Sequence, residues 1–327
     1  MKARILLAAA ALLLAVPAFS QSDGDIQNMS LGTAGTGSGL TYSSVNEGLD
    51  MGAWISGGID WDVIPKRLNV TIDEQIRTKD NFSNPNKSYS NVGISYKILP
   101  WLKAGALYSL VMIKNSSGEW RTRHRGDFSL TATTHLGRLK LSLREKFQAS
   151  YKAYEVNLFQ NPQTDLYLKS RIKVEYDIFH SKWTPYVSAE IRNTLNAVNP
   201  DSFVYGTYNW QKYDGSTKTW ENKTRTCYGN LTPSYNDIYI NRIRFNLGAD
   251  WKFARNQSLD MYIIFDYNMD MPVDFSSSGI QKSYGNYTSE AAGSVVSESN
   301  YYKYGVGILT LEDSCFLGIG LAYRFKL

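Results

Sequence analysis

The residues able to do chemistry in this chain are charged, and they recur at every second position. The segment "LKSRIKVEY", residues 168–176, sets Lys169, Arg171 and Lys173 on one side of an extended chain, followed by Glu175. "NRIRFNLGAD", residues 241–250, does the same with Arg242, Arg244, Asn246, Gly248 and Asp250. Successive side chains of a β-strand point to opposite faces, so this spacing gathers charge on one face and apolar groups on the other. Asp60, Asp62, Arg125, Asp127, Arg144, Glu190 and Arg192 have the same placement. Around a lumen, basic rows of this kind favour anions. Acids and bases alternating along the same strands could instead neutralise each other, plug the lumen and hold opposite walls in register. The sequence leaves both readings open.

Catalytic constellations fare poorly. Acyl transfer needs a nucleophile, a base and a group that orients the base. The histidines are His124, His135 and His180. His135 and His180 fall in tight turns, and His124 falls near the start of a strand on its apolar parity. His180 and Ser181 are neighbours on a turn and point apart. Asp60 and Asp62 share a face, as an acid pair would require, but the Asp-x-His element of barrel proteases is absent. No histidine–cysteine spacing resembles a metal site, and no glycine loop is shaped to cradle phosphate. An enzyme is not expected, nor a cofactor.

The elements that position the charged rows are hairpins. "AWISGGIDWDVI" puts Ala53, Ile55, Ile59, Trp61 and Val63 on one face, with Trp54, Ser56, Gly58, Asp60 and Asp62 on the other. A turn at Pro65–Arg67 leads into "LNVTIDEQIR". The pattern recurs at "NVGISYKI" and "LKAGALYSLVM", then at "RHRGDFSLTATT" and "RLKLSLREKF". It continues through "LYLKSRIKVEYDI" and "PYVSAEIRN" to "INRIRFNLGADWKF" and "LDMYIIFDYN". Short turns alternate with long loops, the longest near 195–237 and 270–299. Strands of about ten residues with this alternation of connections fit a transmembrane β-barrel better than a soluble sandwich. The reading is all-β: a single antiparallel barrel of about twelve strands, the first drawn from residues 26–46. "YYKYGVGIL" reads as a hairpin extension outside the barrel, and "LGIGLAYRFKL" as the closing strand. In that last strand Gly318, Gly320 and Ala322 would leave room in the lumen.

Two glutamates break the alternation. Glu74 and Glu145 each lie six residues beyond the first apolar residue of their strands, on the apolar parity. Either a bulge resets the phase, or both sit at the outer rim.

The N-terminus reads as an export signal over residues 1–20. Lys2 and Arg4 precede an apolar run from Ile5 to Val16, and Ala18-Phe19-Ser20 forms a small-x-small cleavage site. Residues 21–47 then form a flexible lead-in with a possible first strand, and 48–327 the barrel. Removing the signal leaves 33 basic against 30 acidic residues, too mild an excess to argue for nucleic acid. Twenty-three tyrosines, 13 phenylalanines and 8 tryptophans suit a wet–dry boundary. The expected location is the outer membrane of a Gram-negative cell. Expected partners are its lipid, the barrel-assembly machinery, and a small solute or surface ligand. Cys227 and Cys315 would meet an oxidising compartment there and could pair.

The fragments "EQIR", "YKILPWLKAGALYSL", "RHRGDFSL", "LREKF", "LKSRIKVEY", "PYVSAEIRN" and "INRIRFNLGADWKF", in this order, resemble an outer-membrane barrel family catalogued only as a domain of unknown function. The resemblance runs from about residue 50 to the C-terminus. It implies an outer-membrane barrel and brings no catalytic residues.

Overall fold

A computed structural model describes residues 40–327, save 116, 157–160, 198–203, 215, 218, 230–234, 271–272, 276–286, 290–293 and 297–306. The expected export signal, and the lead-in up to residue 39, lie outside the described residues.

Sixteen strands are formed among the described residues. They are β1 (Leu40–Ile64), β2 (Leu68–Lys79), β3 (Asn84–Leu99), β4 (Leu102–Lys114), β5 (Trp120–Leu136), β6 (Leu139–Lys152), β7 (Thr164–Tyr176) and β8 (Trp183–Ala197). Then follow β9 (Val204–Asp214), β10 (Thr219–Gly229), β11 (Asp237–Ala254), β12 (Gln257–Asp270), β13 (Val273–Phe275), β14 (Tyr287–Ser289), β15 (Ser294–Val296) and β16 (Gly307–Lys326). Strands β1 to β8 pair in sequence order, and β8 continues through β11 and β12 to β16. Pairing of β1 with β16 closes the sheet into an eleven-strand barrel. The short β13 adds to the far end of β16, and β10, β9, β14 and β15 form a separate four-stranded sheet from the two longest loops.

The count is one fewer than the twelve expected, and the cause is local. Residues 40–46 do not make a strand of their own; they are the first part of the 25-residue β1. A bulge between Asn46 and Gly48, with Gly48 at φ 79°, shifts the phase and hides the continuity from a strict alternation count. Strands β1 and β16 therefore run in the same direction, and they close the barrel as a parallel pair from Leu40–Gly307 to Asp60–Lys326. Gly307–Leu309, read as part of an extension outside the barrel, is the start of β16.

Connections segregate as expected. At one end they hold two to six residues, while at the other they hold 4 to 39. Turn chemistry fits the short end: Lys66 adopts φ 63° and Gly137 φ 64°, and Arg67 N donates to Ile64 O at 2.9 Å.

Burial is inverted relative to a water-soluble protein. Leu247 is 62 % exposed, Ile55 58 % and Ile263 50 %, whereas Glu190 and Asp266 are 5 % exposed. Apolar side chains cover the outside and charged ones fill the inside. Near the short-turn end the outer surface carries Trp61, Tyr96, Trp101, Tyr176, Trp183 and Tyr323, all exposed. Trp183 stacks on Trp251 with centroids 5.3 Å apart. The room left by the small residues of β16 is used by rings: a Cβ on Gly320 would run into the ring of Tyr262.

Glu74 and Glu145 follow neither alternative read for them. The ladders run without a shift through both positions, and both lie mid-strand. Each points outward and is capped from the next strand. Ser90 Oγ donates to Glu74 Oε2 at 2.9 Å, and Ser170 Oγ to Glu145 Oε2 at 2.6 Å.

Candidate functional site

The barrel interior gathers the charged rows, and Glu190 on β8 is their centre. Arg242 on β11 reaches its Oε1 at 2.9 Å, and Arg144 on β6 reaches its Oε2 at 2.9 Å. Arg171 on β7 and Arg244 on β11 are its partners in the flanking ladders. One carboxylate thus sits among four guanidiniums. Arg244 has its own acid, Asp266 on β12, which it grips with two nitrogens at 2.5 and 2.6 Å. Such bidentate pairs are both strong and directional.

The remaining predicted residues are distributed along the same wall. Lys146 holds Asp127 at 2.9 Å, and Lys169 donates to Gln148 at 2.6 Å. Arg192 donates to Asn241 at 2.6 Å and lies over the Tyr167 ring at 4.9 Å. Arg125 lies over the Tyr89 ring at 5.2 Å. Toward the short-turn end, Glu175 pairs with Lys140 at 2.6 Å and Lys173 at 3.0 Å. At that rim Asp60 accepts from Thr71 and faces Arg324 at 3.6 Å, while Asp62 pairs with Lys326 at 2.8 Å. Asp60 and Asp62 therefore each have a cation of β16 as partner.

Asp250 stands apart. It faces Asp260 directly across the β11–β12 ladder, and its Oδ1 is buried without a hydrogen-bond partner among the described residues. Asp260 is occupied by the Tyr186 hydroxyl, at 3.0 and 3.1 Å from its two oxygens. Like charges directly opposite each other destabilise a ladder by roughly 0.2–1 kcal/mol. Asp250→Asn should therefore raise the urea midpoint of unfolding, with a gain in unfolding free energy of about that size. A lowered midpoint would contradict this account.

Several interior residues were not picked out from the sequence: Trp54, Arg77, Tyr89, Arg123, Lys146, Lys152, Asp165 and Asp266. Lys152 and Arg123 share Asp165, at 2.7 and 3.3 Å. Trp54 is the most consequential. Its indole lies between two guanidiniums, Arg77 at 3.7 Å and Arg244 at 4.6 Å, and Phe316 stacks beside it with centroids 6.1 Å apart. A cavity of about 830 Å³ lies on the long-loop side of this cluster and one of about 260 Å³ on the other; Trp54 and Arg244 line both. The stack is thus the waist of the lumen. A third cavity of about 310 Å³ is lined by Arg123, Lys152, Asp165 and Glu312.

The histidines lie away from the interior rows. His124 faces outward, its Nδ1 2.7 Å from the Tyr108 hydroxyl, and His135 and His180 are exposed at the short-turn end. Cys315 is a free thiol on β16. Its candidate partner Cys227 has a side chain outside the described residues.

Residues 51–209 match a family model described as a protein of unknown function (DUF2490). This span holds most of β1, all of β2 to β8 and the first half of β9, a little under half of the chain. The resemblance read from the sequence continued to the C-terminus, so its last fragment, "INRIRFNLGADWKF", lies beyond the matched span. No curated protein matches the chain.

Proposed function

We propose that this chain is an integral outer-membrane β-barrel, exported and inserted by the barrel-assembly machinery, whose lumen is a narrow anion-favouring passage for small solutes. The observation that carries the membrane assignment is the inverted burial: an apolar exterior around a charged interior. Exposed leucines, isoleucines and phenylalanines at this density would be an aggregation hazard in water, and they are the normal covering of a strand in lipid. The aromatic ring at the short-turn end matches an interfacial belt. No helix among the described residues is long and apolar enough to cross a membrane, so strands would do the crossing.

Selectivity follows from the interior charges. Arg77, Lys87, Arg125 and Arg171 have no carboxylate within ion-pair distance among the described residues; Arg77 and Lys87 line the cavity on the long-loop side and Arg171 the one below it. In this reading the chain is not an enzyme. A second reading, a surface protein that binds a partner, draws support from the separate four-stranded sheet of β9, β10, β14 and β15.

The first reading predicts outer-membrane fractionation, a change of gel mobility on boiling, and discrete conductance in planar bilayers with the reversal potential shifted toward the anion. A soluble, unshifted protein would defeat the membrane assignment. A folded but silent barrel would defeat the passage. Loss of partner binding on deleting residues 204–229, with the barrel intact, would favour the surface reading.

A further inference from the structure

Arg77 on β2 and Lys87 on β3 are direct cross-strand partners, and both line the cavity of about 830 Å³. Like charges placed opposite each other weaken a ladder unless an anion offsets them. Among the described residues no carboxylate does so. Arg77 donates from Nε and one terminal nitrogen to the neutral Gln75 Oε1, at 2.8 and 2.6 Å. Lys87 Nζ has no hydrogen-bond or ion-pair partner among the described residues. Five carboxylates line the same cavity, Glu47, Asp50, Asp80, Asp266 and Asp270, and none is in ion-pair contact with Arg77 or Lys87: Asp266 is held by Arg244, Asp80 lies 3.8 Å from Lys79, and Asp50 accepts from the backbone amides of Met51 and Asn81. Arg242 and Arg244, on the same cavity, each have a carboxylate. Two cations therefore face a solute-sized space with no carboxylate in ion-pair contact with either of them among the described residues.

We propose that this cavity binds a small hydroxyl-rich anion, a sugar acid or sugar phosphate, and that Arg77 and Lys87 hold its charged group. Its volume lies within the roughly 300–1,000 Å³ of small-molecule sites. Asn86, Asn268 and Ser314 on the same wall supply donors and acceptors for hydroxyls, and Phe316 supplies an apolar surface for a ring face. A guanidinium and an ammonium side by side suit a carboxylate or phosphate, and a neutral sugar gives them nothing. The passage proposed above would deliver such a solute, and in that respect this site rests on it; occupancy itself does not require conduction.

The test is calorimetric titration of the full-length chain in detergent micelles, at low salt, with glucuronate, glucose 6-phosphate and glucose. At least one of the two anions should bind at least tenfold more tightly than glucose. That binding should fall at least tenfold in the Arg77→Gln, Lys87→Gln double variant and persist in Arg77→Lys, Lys87→Arg. Boiling-dependent mobility reports whether each variant is folded. Should the double variant fail that control, Lys87→Gln alone removes a side chain with no partner to lose, and a threefold or greater loss is expected from it. Equal binding of glucose, no binding of either anion, or an unaffected folded variant overturns the proposal. Conductance of the same preparation separates the two readings. A silent barrel that binds defeats the passage and keeps the site, and a conducting barrel that binds neither anion does the reverse.

Discussion

Replacing Glu190 by glutamine should cost the barrel about 3 kcal/mol or more of unfolding free energy. Removing one partner of a buried ion pair is worth roughly 3–5 kcal/mol, because the other charge is left uncompensated. Here more than one charge is left. Glu190 is 5 % exposed and accepts from Arg144 and Arg242, and Arg171 is its ladder neighbour. Only Arg244, among the four guanidiniums around it, keeps a carboxylate of its own. A glutamine amide presents one acceptor oxygen, and its nitrogen adds donors where donors are already in excess. Urea unfolding in lipid vesicles, followed by tryptophan fluorescence, measures the loss. Asp127→Asn removes the partner of one lysine, Lys146, and should cost less. A Glu190→Gln barrel within 0.5 kcal/mol of the wild type would mean that lumen water, and not Glu190, neutralises the cluster. Removing Arg242 together with Glu190 should restore part of the loss, since the double change deletes both members of one pair.

Glu190 also marks how far the sequence could be read. Its strand, its parity and its basic neighbours were all legible, because a half-polar strand writes its two faces into alternate positions. The same rule covers Lys146, which shares a parity with Arg144, and Arg77, which shares one with Asp73 and Gln75. Both were within reach of the pattern. Asp266 was hidden differently. In "LDMYIIFDYN" its parity carries Asp260 and Asn268 but also Tyr262 and Ile264, so the interior face reads as partly apolar. Which acid meets which base was not legible at all. Arg144 bypasses β7 to reach β8, and that choice depends on side-chain reach within a curved wall.

The closure was the part of the fold least available to alternation. A strand count assumes that each polarity change marks a new element. The bulge at Asn46–Gly48 changes the phase inside one strand, and a single inserted residue moves every following side chain to the other face. Twelve strands follow from requiring an even number with both chain ends on one side; here β1 and β16 close as a parallel pair, so the number is odd. The outward glutamates show the opposite case, a true exception to polarity with no change of register. Their serine partners, Ser90 and Ser170, stand on neighbouring strands, and cross-strand company cannot be seen from spacing within one strand.

Trp54→Ala should open the waist of the lumen and raise single-channel conductance severalfold while preserving anion preference. The indole lies in the wall of both the upper and the lower cavity, so truncating it to a methyl group joins about 830 Å³ to about 260 Å³. Arg77 and Arg244 each lose a cation–π contact worth about 0.5–2 kcal/mol. Neither loses its charge, and Arg244 stays anchored to Asp266. The positive potential at the waist therefore survives when the obstruction goes, which is why size selectivity should relax and charge selectivity should not. Trp54→Phe keeps a ring between the two guanidiniums and should stay close to the wild-type conductance. Emptying the position costs stability, about 3–5 kcal/mol for a large aromatic side chain in a packed site, so each recording is paired with boiling-dependent mobility to verify the folded barrel. If the folded alanine variant conducts no more than the wild type, the resistance lies elsewhere. The neck beside Arg144, Arg171 and Tyr186 in the lower cavity is then the constriction to test. If conductance rises but anion preference disappears, the selectivity belongs to the indole's hold on Arg77 and not to the charge alone. In that case Arg77→Gln in the wild-type background should abolish preference without raising conductance, because the tryptophan would still fill the waist.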